Sequence, residues 1–184
     1  MKATADLKND HESILIMLQI MTSISNRIRS ESTVDTVHIE KIIDFLRIFA
    51  DKSHHGKEED ILFPAMEKAG VPNDGGPISM MLRDHTEGRS YIAGIGSSLE
   101  QYNINGDSTS LNGIATFMDN YVELLSQHIE KENHVLFMIA DSVLPEKQQD
   151  ELYKEFIKIE EERIGEIRFL EYHEFLQDLK QLYL

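Results

Sequence analysis

His54-x-x-Lys57-Glu58-x-x-Ile61-Leu62-Phe63 returns 74 residues later as His128-x-x-Lys131-Glu132-x-x-Val135-Leu136-Phe137, and Asp10-His11 returns at the same interval as Asp84-His85. In His-x-x-x-Glu the two side chains stand one helical turn apart on one face, so both reach the same place. Ile61, Leu62, Val135 and Leu136 continue apolar stripes at helical spacing, which puts each motif on the inward face of a helix. A repeat that keeps histidine, lysine and glutamate in register predicts two equivalent helical hairpins meeting around one shared site.

Around these motifs the chain divides into four long segments of helical periodicity, with strand-like alternation nowhere sustained. The first runs from about Ala5 to Arg29 and carries His11 on the stripe of Ile14, Leu15, Leu18 and Met21. The second runs from about Val34 or Thr36 to Lys68, with Pro64 expected to kink or interrupt its last turns. A run of helix breakers, Gly70 to Pro77, separates it from the third, about Ile78 to Tyr102, which carries His85. The fourth, about Thr109 to Asp141, turns Phe117, Tyr121, Leu124, Leu125, His128, Glu132, Val135, Leu136 and Ile139 inward. The expected fold is all-α: an up-down antiparallel four-helix bundle over about 5–141 with an additional helical extension over about 145–184. Pro145 suits the first turn of that extension and Gly165 interrupts it. At 184 residues the whole is expected to be one domain, 1–184.

The composition restricts the chemistry. Cysteine is absent, which excludes disulfides, thiolate zinc sites, cysteine-held iron-sulfur clusters and a cysteine nucleophile in this chain. A formal charge of −15, without a basic stripe, argues against nucleic acid as a partner. Neither a signal-peptide core nor an apolar run long enough for a bilayer is present, so no membrane partner and a cytoplasmic location are expected.

Two His-x-x-x-Glu helices and a histidine from each of the other two supply four imidazoles and two carboxylates. If each glutamate bridges, each of two metals receives two nitrogens and two oxygens, and a shared water-derived oxygen leaves one position per metal for a small ligand. An isolated His-Glu pair is more often a surface pair contributing about 0.2–0.5 kcal/mol. Placement on apolar faces, where an uncompensated carboxylate is costly, and repetition in register favour metal instead. The donor set suits iron, manganese or zinc without choosing among them.

His11, then His54 with Glu58, then His85, then His128 with Glu132 resembles the pattern of hemerythrin-like proteins with the HHE cation-binding domain. Glu58-Glu59-Asp60-Ile61-Leu62-Phe63-Pro64 is similar to the usual flank of their second helix, and the likeness covers about residues 6–141. The resemblance implies a non-haem di-iron centre, two iron ions with an oxo or hydroxo bridge, held by His11, His54, Glu58, His85, His128 and Glu132. It implies a small diatomic or peroxide ligand. Turnover of oxygen, peroxide or nitric oxide would make the protein a di-iron oxidoreductase linked to oxidative or nitrosative stress. The alternative is a non-catalytic oxygen or iron sensor, or an iron-binding module.

The oxygen carriers of the family have a second histidine one turn further along the third helix, where this chain has Arg89, and an aspartate where it has Glu132. One imidazole fewer makes simple oxygen carriage the lesser expectation. The ligand pattern is closer to bacterial di-iron proteins linked to nitric-oxide stress and iron-sulfur repair. Some of those carry a cysteine-bearing N-terminal domain that is not found in these residues, so cluster repair is not the leading expectation either.

His55 and Glu59 repeat the ligand spacing one residue on, rotated by roughly 100° from the His54 face. The internal repeat has Ile129 and Asn133 there, so His54, not His55, is the expected ligand and His55 a surface or supporting residue. Lys57 and Lys131 are expected in solvent, His134 partly exposed, and His38 and His173 without a role. Tyr121 is expected in the core with its hydroxyl satisfied; the second reading makes it a donor to bound oxygen or peroxide. Met17, Met21, Met80, Met81 and Met118 are expected as packing.

Overall fold

The computed structural model describes residues 2–184, and among them no strand is present. Six helices account for the fold: α1 (Ala3–Glu31), α2 (36–68), α3 (Pro77–Asn105), α4 (108–143), α5 (Glu146–Arg163) and α6 (Glu166–Tyr183). α1 to α4 form the antiparallel bundle. Their ends follow local chemistry: Ser32 and Gly106 close α1 and α3 in the left-handed conformation. The Asp35 carboxylate accepts from the Val37 and His38 amides, and Asp107 from that of Ser110, capping α2 and α4. No helix is long and apolar enough to cross a membrane.

Apolar faces pack into two clusters. One gathers Ile14, Met21, Ile42, Phe45, Ile92, Ile114 and Leu125 with their neighbours; the other gathers Leu7, Phe63, Met66, Ile78, Met81, Phe137 and Phe156. Between them in all four chain segments lie the histidines and glutamates of the repeated motifs. The bundle thus sandwiches one polar layer between two apolar ones.

α2 and α4 are not α-helical throughout. Wider turns, in which each amide reaches the carbonyl five residues back, run over Leu46–His55 and Glu58–Leu62 in α2 and over Glu132–Leu136 in α4. The last two begin at the two motif glutamates, 74 residues apart, with Phe63 donating to the Glu58 carbonyl and Phe137 to that of Glu132. Pro64 therefore does not break α2: it follows a widened turn and sits in the first turn of Phe63–Lys68, where its missing N–H matters least. The widened turns also alter which residues face inward. Val135 is exposed and Leu136 buried, contrary to the sequence expectation for Val135, and Leu15 is likewise half exposed at the edge of its stripe.

The extension is two helices that meet at Gly165, whose φ of 77° suits a residue without a side chain, and they run in succession along α1 and α2, from Gln149 beside Thr4 to Tyr183 beside Ser23 and His38. Pro145 caps α5 from outside instead of occupying its first turn. α6 is fastened to α2 where Arg168 donates to both Asp44 oxygens and the Tyr172 hydroxyl donates to the same carboxylate. α5 is fastened by Arg163, which donates to the Lys52 carbonyl and the Asp60 carboxylate across Gly56. A Cβ at Gly56 would lie 1.7 Å from that guanidinium, so a larger residue there would make Arg163 shift.

Candidate metal centre

All six expected ligand residues converge in the polar layer, each 0–1% exposed. Nε2 of His11 lies 3.0 Å from Nε2 of His54, and Nε2 of His85 lies 3.2 Å from that of His128. Two nitrogens each about 2.1 Å from one cation and at right angles would stand about 3 Å apart, so both pairs have the spacing of neighbouring ligands.

The glutamates span these pairs. Glu132 lies 3.2 Å from His11 and 3.2 Å from His128; Glu58 lies 3.8 Å from His54 and 3.4 Å from His85. Each carboxylate thus reaches one histidine of either pair, which is the placement of a bridge. No oxygen of Glu58 or Glu132 has a hydrogen-bond partner, although both side chains are completely buried. Buried carboxylates are normally paired or bound to metal, and four orphaned oxygens facing imidazole nitrogens fit a cation. Two overlapping groups are disposed to hold one: His11, His54, Glu58 and Glu132, and His55, Glu58, His85 and His128.

The far sides of three rings are hydrogen-bonded to an oxygen, and that of His128 faces a carboxylate at ion-pair distance without a hydrogen bond. Asn133 lies 3.0 Å from Nδ1 of His11, Asp10 3.2 Å from that of His54, Glu59 2.7 Å from that of His85 and Asp84 3.6 Å from that of His128. These partners obey the same repeat: Asp10 and Asp84 are 74 residues apart, as are Glu59 and Asn133. A carboxylate or amide oxygen on Nδ1 fixes the tautomer that turns a lone pair on Nε2 inward. The recurring Asp before His11 and His85 is the sequence signal for half of these partners; Glu59 and Asn133 share a repeat position but differ in residue type.

The side chains alone set up a charge conflict. Burial, followed by the charge of Glu132, pushes the Glu58 carboxyl well above the usual range. Burial acts on Glu132 in the same direction, but His128 and His11 outweigh it and hold that carboxyl well below. For His128 burial opposes protonation, yet Glu132 and Asp84 raise it to about 9, whereas burial and then His11 keep His54 neutral. A divalent cation held between the two carboxylates would favour the ionised form of both and relieve this conflict.

Three expectations need correction. His55 is 3% exposed, not at the surface, with its ring stacked 3.8 Å from that of His85. Lys57 is 1% exposed, its ammonium donating to Asp6, Asp10 and Glu160 at 2.9–3.0 Å. Tyr121 is buried as expected, but its hydroxyl has no hydrogen-bond partner. Lys131 stays 40% exposed on Asp84, and His134 is exposed beside Glu130. His38 accepts or donates at the Tyr183 hydroxyl, 2.8 Å away, remote from the ligand layer.

Four antiparallel helices presenting paired histidines and spanning glutamates to one buried layer define a histidine-carboxylate cation-binding bundle. The model of the hemerythrin HHE cation-binding domain matches residues 2–140, and the chain belongs to that family. The iron-sulfur cluster repair protein YtfE of Dickeya chrysanthemi (strain Ech1591) is 29% identical over 119 residues, 60% of this chain and 54% of that protein. The chain therefore spans about half the length of that curated relative. No solved structure matches it significantly.

Proposed function

We propose that this protein holds two iron ions between its helical hairpins and reacts there with a small oxidant: oxygen, peroxide or nitric oxide. The observation that carries this reading is the set of four orphaned carboxylate oxygens, each glutamate spanning both histidine pairs. His11 and His54 would hold one ion and His85 and His128 the other, with Glu58 and Glu132 each placed to donate to both. Bound iron supplies Lewis acidity and one-electron redox chemistry.

The remaining contributions come from the chain. Asp10, Asn133, Glu59 and Asp84 keep the Nε2 lone pairs aimed inward. Phe137, stacked 5.5 Å from His11, and Phe63, stacked 6.1 Å from His85, close the layer to water from the side of the second apolar cluster. Loss of the protons on Glu58 and His128 would offset two of the positive charges that two divalent cations would bring into the layer.

The alternative on the same six residues is a non-catalytic oxygen or iron sensor, or an iron-binding module. Metal analysis of the iron-reconstituted protein tests the shared premise, with two equivalents per chain expected and one or none refuting it. Consumption of peroxide or nitric oxide by that form supports reaction, whereas a reversible spectral change without consumption supports the module.

A further inference from the structure

Lys57 and Lys131 stand at equivalent positions of the 74-residue repeat, each one residue before a motif glutamate, yet only one of them is enclosed. Lys57 is buried and donates its three ammonium protons to three carboxylates: Asp6 at 2.9 Å, Asp10 at 3.0 Å and Glu160 at 3.0 Å. Lys131 is half exposed and, among the described residues, donates to Asp84 alone. Met80 occupies the place equivalent to Asp6, and Glu160 comes from α5, beyond both repeats and beyond the matched domain.

This difference reaches the metal layer. The Asp10 oxygen that accepts from Lys57 is also the one 3.2 Å from Nδ1 of His54, so a single carboxylate oxygen joins the ammonium to the imidazole. In the other half Asp84 stands 3.6 Å from Nδ1 of His128, and that nitrogen has no hydrogen-bond partner. The closer contact belongs to the half whose lysine is fixed on all sides. An ammonium with three acceptors has one orientation, set by where the three carboxylates stand. With two it can turn on its flexible stem, and the oxygen that it shares with His54 moves with it. Glu160 is itself firmly placed: it shares a face of α5 with Phe156, which is completely buried, and with Arg163, which donates to the Lys52 carbonyl and to Asp60.

Resting on the two-metal reading, we infer that Glu160 is a positioning residue for His54, acting through Lys57 and Asp10, so that the C-terminal extension governs how firmly the ion on His11 and His54 is held. The ion on His85 and His128 is independent of it. Movement of α5 away from the bundle would therefore loosen one ion and keep the other.

Cobalt(II) is the probe, because the Nδ1–H of each imidazole bound to it gives a hyperfine-shifted, solvent-exchangeable proton resonance. Overhauser contact with the Asp10 side chain identifies the resonance of His54, and contact with Glu59 that of His85. In Glu160→Ala the His54 resonance should shift and exchange faster with solvent while that of His85 stays in place. A competing chelator should take one of the two ions about tenfold more readily than from wild type. Glu161→Ala, which removes an exposed acid from the same helix, should match wild type in both measurements. Two ions in wild type, with Glu160→Ala indistinguishable from it, would overturn the role of Glu160 alone. Equal loosening of both ions would also overturn it, because Glu160 would then serve the bundle as a whole. Fewer than two cobalt ions in wild type would overturn the two-metal reading and this inference with it. Should Glu160→Ala lose its helicity, Glu160→Gln, which keeps the length of the side chain without its charge, decides in the same way.

Discussion

At the scale of single residues the two motif lysines make an internal control. Lys57 and Lys131 are equivalent in the repeat, yet Lys57 is buried among Asp6, Asp10 and Glu160 while Lys131 meets only Asp84 at the surface. Burial works against the Lys57 charge, but Asp10, Asp6 and Glu160 outweigh it and hold the ammonium well above its ordinary range. Replacing Lys57 with Met leaves Asp10 buried beside Asp6 without a counter-charge, a loss of about 3–5 kcal/mol. Lys131→Met, at a screened and partly exposed pair, should cost about 1 kcal/mol or less. Chemical denaturation of both variants checks the contrast, and equal losses would refute it. Asp10 also holds Nδ1 of His54, so Lys57→Met should weaken metal retention as well. Tyr121→Phe removes a buried hydroxyl that has no partner and should leave stability equal or up to about 1 kcal/mol higher, measured the same way. The convergence of the six candidate residues was legible because helical spacing puts each on an inward face. The fate of Lys57 was not, because what buries it is Glu160 on α5, outside the repeat.

At the scale of elements, the widened turn beginning at Glu58 raises the question of whether Pro64 causes it. The repeat answers this, because the position equivalent to Pro64 is Met138 and the same turn begins at Glu132. The turn therefore belongs to the motif, and Pro64 merely tolerates the place it is given. A proline in a helix interior ordinarily costs about 3 kcal/mol through its lost hydrogen bond and clash. Pro64→Ala should instead shift unfolding free energy by less than about 1 kcal/mol and leave metal content unchanged, which denaturation and metal analysis of the purified variant would show. Apolar periodicity located all four bundle helices to within a few residues. It could not register a widened turn, since such turns depend on backbone hydrogen bonding that no side-chain pattern records. Val135 faces outward and His55 inward for the same reason: unbroken α-helical rotation would place them the other way round.

At the scale of the whole molecule, the polar layer separates two apolar clusters, so the fold and the site depend on each other. Four helices bury two carboxylates with no hydrogen-bond partners, an arrangement that opposes folding unless cations compensate it. Ions that bind only the folded chain stabilise it by mass action, about 4 kcal/mol at a thousandfold excess over the dissociation constant. For a chain of this size that corresponds to a rise in melting temperature on the order of 10 °C. Removing the metal with a chelator should reverse it. Glu132→Ala separates the two contributions. In the metal-loaded protein it deletes a bridge and should lower the melting temperature by a comparable amount. In the metal-free protein it relieves Glu58, whose carboxyl burial and Glu132 together push up, and it frees His128 to lose its proton, so stability should hold or rise. Calorimetry of wild type and Glu132→Ala, each with and without iron, gives the four melting temperatures. A variant equally destabilised in both forms would mean that Glu132 serves the packing of the bundle. Equal values for metal-free and metal-loaded wild type would mean that the bundle folds without regard to what the layer holds.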